Sequence, residues 1–232
     1  MHVVTMQGPG KNSLGTKMMR GLIHELQEAD GAPVLLTGHG DAFSAGLNLK
    51  EVADLDRDGM RAFLELLEQT VTALFTYPGP TAAAVNGHAI AGGCVLALCC
   101  DWRVGTTNPR TRIGLNEVAI GLPFPPRTFE AVCHRISKTH LDAVLLGGQL
   151  CDTSRALALG LLDVLDEDPM AAATAWLDRV RRNPPAAYAA VKHDLRGDLT
   201  PTEATQQQFL DRVLPMWTDD AVRRRVLAAL GR

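Results

Sequence analysis

Residues 81–100, TAAAVNGHAIAGGCVLALCC, contain no Asp, Glu, Lys or Arg. An apolar stretch of about 20 residues has the length of a membrane-spanning helix. However, Asn86, Gly87 and His88 interrupt this stretch and Gly92-Gly93 follows, and such residues are typical of turns. We therefore predict a buried strand, a turn and a buried helix, and no membrane association.

Short apolar runs alternate with helical periodicity in the first half of the chain. The predicted strands cover residues 3–6, 33–37, 81–85 and 102–106. One predicted helix carries Leu14, Met18, Leu22 and Leu26 on one face. A second carries Met60, Phe63, Leu64, Leu67, Val71, Leu74 and Phe75. This alternation predicts an α/β fold with a largely parallel sheet.

The second half changes character. From Arg127 to Leu230 almost every segment has helical periodicity, interrupted by glycines and prolines. We predict a core of residues 1–170 and a C-terminal helical region of residues 171–232.

Composition excludes several classes of function. A formal net charge of -3 provides no field that attracts nucleic acid or an acidic membrane. The five cysteines form no C-x-x-C pair and the histidines no metal-binding spacing, so we predict reduced core cysteines and no metal. Residues 1–10 lack the features of a signal or transit peptide, and the expected location is cytoplasmic.

Three segments point to one family. They are residues 42–50 (AFSAGLNLK), 85–94 (VNGHAIAGGC) and 113–121 (IGLNEVAIG). Taken together, in this order and spacing, they resemble the enoyl-CoA hydratase/isomerase (crotonase) family over nearly the whole chain. The motifs are most similar to those of the Δ3,Δ2-enoyl-CoA isomerases.

The resemblance implies a fold, a site and an assembly. The fold would be a spiral of ββα turns with a C-terminal helical trimerisation region, giving a homotrimer or hexamer. The backbone N–H groups of Leu47 and Gly92 would hold the thioester oxygen, and Glu117 would be the catalytic acid/base. The residues implied in substrate binding are Ala45, Gly46, Asn48, Leu49 and Asn116. The substrate would be an acyl-CoA of fatty acid metabolism, with CoA as part of the substrate and no separate cofactor.

One position favours an isomerase. Hydratases of the family carry a second glutamate immediately after the position of Cys94, and here that residue is Val95. Moving a double bond from C3 to C2 needs one group that removes a proton and returns it two carbons away, which a single glutamate can do. The apolar neighbours Leu115, Val118, Ala119 and Ile120 predict a raised pKa for Glu117. Residues 122–130 and the helix after residue 56 are expected to form the pocket wall.

Other functions stay open at this point. Within the enzyme class these are a hydratase with a compensating acid, and a decarboxylase. A non-catalytic acyl-CoA-binding protein also fits the missing carboxylate. Ser44 lies in a near match to the G-x-S-x-G elbow, and Asp101 followed by His134 or His140 has the chain order of an α/β-hydrolase. His88 is expected to make a structural hydrogen bond, and Arg223, Arg224 and Arg225 to form a solvated helix face.

Overall fold

The computed structural model describes residues 1–229 of the chain. Its strands are β1 (His2–Met6), β2 (Val34–Gly38), β3 (Ala42–Ser44), β4 (Thr81–Val85), β5 (His88–Ile90), β6 (Trp102–Thr106), β7 (Ile113–Gly114) and β8 (Val164–Asp166). The helices of the first half are α1 (Pro9–Asn12), α2 (Thr16–Ala29), α3 (Leu49–Asp54), α4 (Arg57–Phe75) and α5 (Gly92–Cys99). Those of the second half are α6 (Pro126–Arg135), α7 (Leu141–Leu145), α8 (Thr153–Ala158), α9 (Pro169–Val180), α10 (Pro185–Arg196), α11 (Glu203–Gln208), α12 (Leu214–Trp217) and α13 (Asp220–Ala229).

The larger sheet is parallel throughout, with the strand order β1-β2-β4-β6-β8. Its first four strands confirm the four predicted from apolar runs. The fifth strand, β8, lies in the half that we predicted to be mainly helical, and the sequence analysis predicted no strand there. The strand has only three residues and carries Asp166, so it shows no apolar run; its pairing with β6 makes it a strand.

A second, smaller sheet of β3, β5 and β7 has no counterpart in the sequence analysis. Its three short strands are parallel and lie in that order. Each strand lies within one of the three motif segments. Because parallel strands end at the same edge of a sheet, the loops after residues 44, 90 and 114 are brought together there.

The stretch 81–100 folds as predicted, with β4 and β5 followed by α5. Every residue of α5 is buried. Within residues 1–229, no helix combines the length and apolar character needed to span a bilayer.

The helix α4 confirms its predicted face, because all seven of its predicted apolar positions are buried. Asp56 begins the helix by accepting a hydrogen bond from the Gly59 N–H at 2.8 Å. The helix α2 differs slightly from the prediction. It begins at Thr16, so Leu14 lies outside it and instead forms an isolated parallel bridge with Leu47.

The C-terminal helices pack in two places. The helix α9 covers one face of the larger sheet, where Ala173 and Leu177 contact the buried strand residues Leu35, Ala82 and Val104. The helix α12 packs on α4, and α13 packs on α3. The division near residue 170 and trimerisation through this region stay predictions.

Candidate active site

The carboxyl group of Glu117 is enclosed by the protein. Glu117 follows β7 and precedes a short 3-10 turn, Val118–Ile120, and it is only 7% exposed. Its Oε2 atom has no hydrogen-bond partner among residues 1–229. Burial raises the pKa of the Glu117 carboxyl from 4.5 to about 8, which confirms the predicted direction. A carboxyl group with such a pKa can take up and release a proton near neutral pH.

The backbone around Leu47 leaves one N–H group free. The Leu14 N–H donates to the Gly46 carbonyl at 2.7 Å, and the Asn48 N–H donates to the Leu14 carbonyl at 2.9 Å. These two hydrogen bonds flank Leu47, so its own N–H points away from Leu14. In the described part of the chain that N–H has no acceptor.

The loop after β5 lies against the loop that holds Leu47. Gly46 has a φ of +86°, and a Cβ placed on it would lie 2.7 Å from the Ile90 carbonyl oxygen and 3.4 Å from the Gly92 nitrogen. Only glycine permits this approach. Gly92 is the first residue of α5, and the N–H groups of a first helical turn have no acceptor within the helix. The two predicted donors therefore come from adjoining loops.

Ala91, between these elements, has an unusual backbone conformation. Its φ is +49° and its ψ is -122°, which L-residues other than glycine rarely adopt. Such a conformation costs on the order of 1–3 kcal/mol and persists where the surrounding structure enforces it. Here the Ala91 N–H donates to the Gly114 carbonyl, and the Ala91 carbonyl accepts from the Val95 N–H.

The two donors and Glu117 line one cavity of about 260 Å³. Its other walls are mainly apolar, with side chains that include Leu49, Leu67, Ile90, Leu122, Phe124 and Trp217. Among the lining residues that the structure describes, Glu117 is the only one with an ionisable side chain. Three buried polar atoms in this lining lack a hydrogen-bond partner: Asn116 Oδ1, Glu117 Oε2 and Thr128 Oγ1. Buried polar atoms without protein partners are rare, and water or a polar ligand in the cavity can supply the missing partners.

The structure separates the predicted binding residues into two groups. Ala45, Leu49 and Asn116 line the cavity. Gly46 is buried and supports the contact between the loops rather than lining the cavity. Asn48 lies elsewhere, where its Nδ2 atom is 3.3 Å from the position of a Cβ on Gly15. Direct substrate contact by Gly46 and Asn48 stays a prediction that this placement does not favour.

Sequence reasoning missed Leu150 and Trp217 as lining residues, and it did not single out the hydroxyl of Thr128. Trp217 comes from α12, and its indole N–H donates to the Pro123 carbonyl at 2.9 Å, which holds the ring against segment 122–125. Thr128 lies in the first turn of α6 and within the segment predicted to form a wall. None of these three residues belongs to a motif. The predicted wall residues Leu122, Pro123, Phe124 and Pro125 do line the cavity.

Comparison with known proteins agrees with this geometry. The model of the enoyl-CoA hydratase/isomerase family matches residues 1–228. A probable enoyl-CoA hydratase, EchA17, from Mycobacterium bovis (strain BCG) is 30% identical over 209 residues, which cover 87% of this chain and 79% of that protein.

The chain belongs to the enoyl-CoA hydratase/isomerase family.

Relatives in this family carry both activities in their names. The mitochondrial enoyl-CoA delta isomerase 1 of Mus musculus is 31% identical over 172 residues, covering 72% of this chain and 60% of the mouse protein. The crystal structure of human mitochondrial Δ3-Δ2-enoyl-CoA isomerase has the same fold, with a TM-score of 0.87 and 24% identity over 100% of this chain and 93% of the human one. The resemblance and the crotonase-type fold are therefore confirmed.

Val95 occupies the position that distinguishes the two activities in our sequence analysis, and it shares the cavity lining with Glu117. Val95 lies on α5, is 1% exposed, and lines the same cavity. The position after Cys94 is the one at which we expect a second glutamate in hydratases. In this family member it presents an apolar side chain to the cavity.

The serine hydrolase alternative is wrong. Ser44 is fully buried, and its hydroxyl donates to the Asn12 carbonyl at 2.8 Å instead of contacting a histidine. Asp101 accepts hydrogen bonds from Lys192 and Arg196. A nucleophilic serine needs exposure and an adjacent base, and Ser44 has neither.

The structure also confirms the predictions for His88 and for the three arginines of the last helix. His88 Nδ1 accepts a hydrogen bond from the Arg112 N–H at 2.9 Å, which confirms a structural role. The three arginines 223–225 are exposed on α13, as predicted. Arg225 also lies over the turn next to Glu117, since a Cβ on Gly121 would be 2.7 Å from its Nη2 atom.

Proposed function

We propose that this protein is an isomerase that moves a carbon–carbon double bond of an enoyl-CoA thioester from C3 to C2, with Glu117 as its single acid and base. One observation carries the proposal. Glu117 is the only ionisable side chain among the described residues that line the cavity, and Val95 faces the same space. Isomerisation needs one proton-transferring group, whereas addition of water is helped by two.

The arrangement of donors suits the chemistry. A proton on C2 of a thioester is weakly acidic, so the enolate oxygen must be stabilised as it forms. The N–H groups of Leu47 and Gly92 would supply that stabilisation, at roughly 3–4 kcal/mol for each donor. Glu117 would remove the proton from C2 to form a dienolate and return it to C4, which leaves the double bond between C2 and C3. The reaction is redox-neutral, so the proposal includes no cofactor beyond the CoA portion of the substrate.

Supplying 3-enoyl-CoA and 2-enoyl-CoA in parallel tests the proposal. We expect conversion of the 3-enoyl to the 2-enoyl thioester at a rate at least about 100-fold above hydration of the 2-enoyl thioester, because the second carboxylate is missing. Absorbance of the conjugated thioester and chromatography of the products measure the two rates. Faster hydration would favour the runner-up, an enoyl-CoA hydratase. Binding without either conversion would favour an acyl-CoA-binding protein.

The value of kcat/KM should rise with pH. Glu117 must be ionised to accept the C2 proton, and its pKa in the free protein is raised to about 8. Well below that pH the ionised fraction of Glu117 falls about tenfold for each pH unit. The value of kcat/KM follows this fraction, because it reports the protonation state of the free enzyme. We expect kcat/KM to increase from pH 6 to about pH 8 and then level off. A profile that is flat over pH 6–9, measured with 3-enoyl-CoA, would contradict a base with this environment.

A further inference from the structure

The hydroxyl group of Thr128 is a polar feature of the cavity that the proposed reaction does not use. Thr128 is 2% exposed, and its Oγ1 atom has no hydrogen-bond partner among the described residues. It lines the cavity together with Leu67, Leu122 and Phe124, which offer no hydrogen-bonding side chain. A buried hydroxyl without a partner destabilises the folded protein, because it has lost its hydrogen bonds to water. A ligand that supplies the partner recovers that free energy.

The helix that carries Thr128 adds a second unpaired group. The helix α6 begins with Pro126, which has no N–H, and the Arg127 N–H donates to Glu68 Oε1 at 2.8 Å. The Thr128 N–H is the next donor of this first turn, and it has no acceptor within residues 1–229. The start of a helix favours an oxygen atom with partial negative charge. The start of α6 thus carries two groups of Thr128 without a partner among the described residues, the N–H and the hydroxyl, and the residue lines the cavity.

The other two residues with unpaired atoms in the cavity, Asn116 and Glu117, follow β7, whereas Thr128 lies on α6, so two different elements supply these atoms. In the proposed reaction the thioester oxygen lies at Leu47 and Gly92, and C2 to C4 lie at Glu117. The proton and the double bond move among C2, C3 and C4, so we assign these carbons to Glu117 alone. A polar group that reaches Thr128 must then be on a more distant carbon.

We propose that the acyl chain of the substrate carries an oxygen, as a hydroxyl or keto group, on a carbon beyond C4, and that Thr128 binds it. This inference rests on the proposed function for the placement of the thioester. It narrows the substrate class from enoyl-CoA in general to oxygenated enoyl-CoA. Thr128 is then a specificity-determining residue, because a plain hydrocarbon chain would leave its hydroxyl unpaired.

Binding of saturated thioesters tests this inference without any double bond to move. The probes are hexanoyl-CoA, 5-hydroxyhexanoyl-CoA, 6-hydroxyhexanoyl-CoA and 5-oxohexanoyl-CoA, titrated by calorimetry into the full chain. We expect the parent protein to bind at least one oxygenated probe about tenfold more tightly than hexanoyl-CoA, the value of one hydrogen bond to an otherwise unpaired group. Thr128→Val should lose this preference, and Thr128→Ser, which keeps the hydroxyl, should retain it.

The chain offers a matched control in Thr72, whose Oγ1 atom is also buried without a partner but lies on α4 outside the cavity lining. Thr72→Val should leave the preference unchanged. The inference is overturned if the parent shows no preference for any oxygenated probe, or if Thr128→Val keeps the preference. If the preference is present but 3-enoyl-CoA is not isomerised, the proposed reaction fails while the binding site for oxygen stands.

Discussion

Turnover of 3-enoyl-CoA is expected to fall by a factor of about 10²–10⁴ when Glu117 is replaced by glutamine, because the amide cannot accept the C2 proton. Binding of a CoA thioester should be retained, since glutamine has the same shape and the Leu47 and Gly92 donors belong to the backbone. Steady-state kinetics and calorimetry with a saturated acyl-CoA measure the two effects separately. A carrier protein would instead show no turnover in the parent and little change in binding on substitution.

The stability of Glu117→Gln distinguishes a functional carboxylate from a structural one. The folded-state pKa of Glu117 is raised above its unfolded value, so the parent protein loses stability as the pH rises from about 4.5 towards 8 and stays less stable above that. A shift from 4.5 to about 8 corresponds to a cost on the order of 5 kcal/mol at pH 9. The glutamine variant has no such cost. We expect it to be more stable than the parent at pH 9 in urea unfolding, by several kcal/mol, and similar at pH 4.5.

Glu68 provides a matched control. It is also buried, at 6% exposure, but it accepts hydrogen bonds from the Arg127 N–H and Nη2 and does not line the cavity. Glu68→Gln should keep turnover within a few-fold of the parent and lower stability by about 1–3 kcal/mol. Opposite signs for the two glutamates would support their assigned roles. A loss of stability in both variants at pH 9 would contradict the isolated carboxyl group that we describe.

Replacing Asp101 by asparagine should destabilise the protein by about 3–5 kcal/mol, because it removes the negative partner of two buried cations. Asp101 Oδ2 accepts from Lys192 Nζ at 2.9 Å, and Oδ1 accepts from Arg196 Nη2 at 2.6 Å. Both cationic side chains are 7% exposed. The Tyr188 hydroxyl and the Thr81 N–H also donate to Asp101 Oδ2. These contacts attach α10 to the C-terminal end of α5 and the start of β4. Urea unfolding of Asp101→Asn therefore measures how much they contribute to the free energy of unfolding.

An exposed ion pair serves as the control for this prediction. Lys11 and Asp41 are 3.3 Å apart with side chains that are 52% and 83% exposed. Solvent screening makes such pairs worth little, so Asp41→Asn should leave the unfolding midpoint nearly unchanged. If Asp101→Asn also left the unfolding midpoint nearly unchanged, Asp101 would not be the group that compensates the charges of Lys192 and Arg196.

Much of the fold could be predicted because local patterns are strong. The apolar face of α4 and the strands β2 and β4 follow directly from periodicity and β-type runs. The smaller sheet could not be predicted in the same way, because β3, β5 and β7 have two or three residues each and only their mutual pairing defines them. The strand β8 was missed for the same reason. The length of a strand or helix thus decided whether its own residues were sufficient to predict it.

The pKa of Glu117 is raised as predicted, but only two of its four named neighbours are enclosed with it: Leu115 is buried and Ile120 lines the cavity. The other two neighbours, Val118 and Ala119, which the prediction used, are exposed, with Val118 at 50%. Residues distant in the chain, among them Leu67 and Trp217, complete the enclosure of the cavity that Glu117 lines. Sequence neighbours are a poor guide to burial in a turn, because a turn exposes some of its side chains and encloses others.

The sequence by itself determined which chemical groups are present at the site: one glutamate at residue 117, an apolar residue at 95, and glycines at 46 and 92 that permit close approach of two loops. It also indicated the family. Only the tertiary structure decided that these groups share a cavity with Thr128 and Trp217, residues of α6 and α12 that belong to no motif. The physical reason is that a cavity is enclosed by the packing of distant elements, and exposure, unpaired hydrogen-bonding groups and pKa values all follow from that packing.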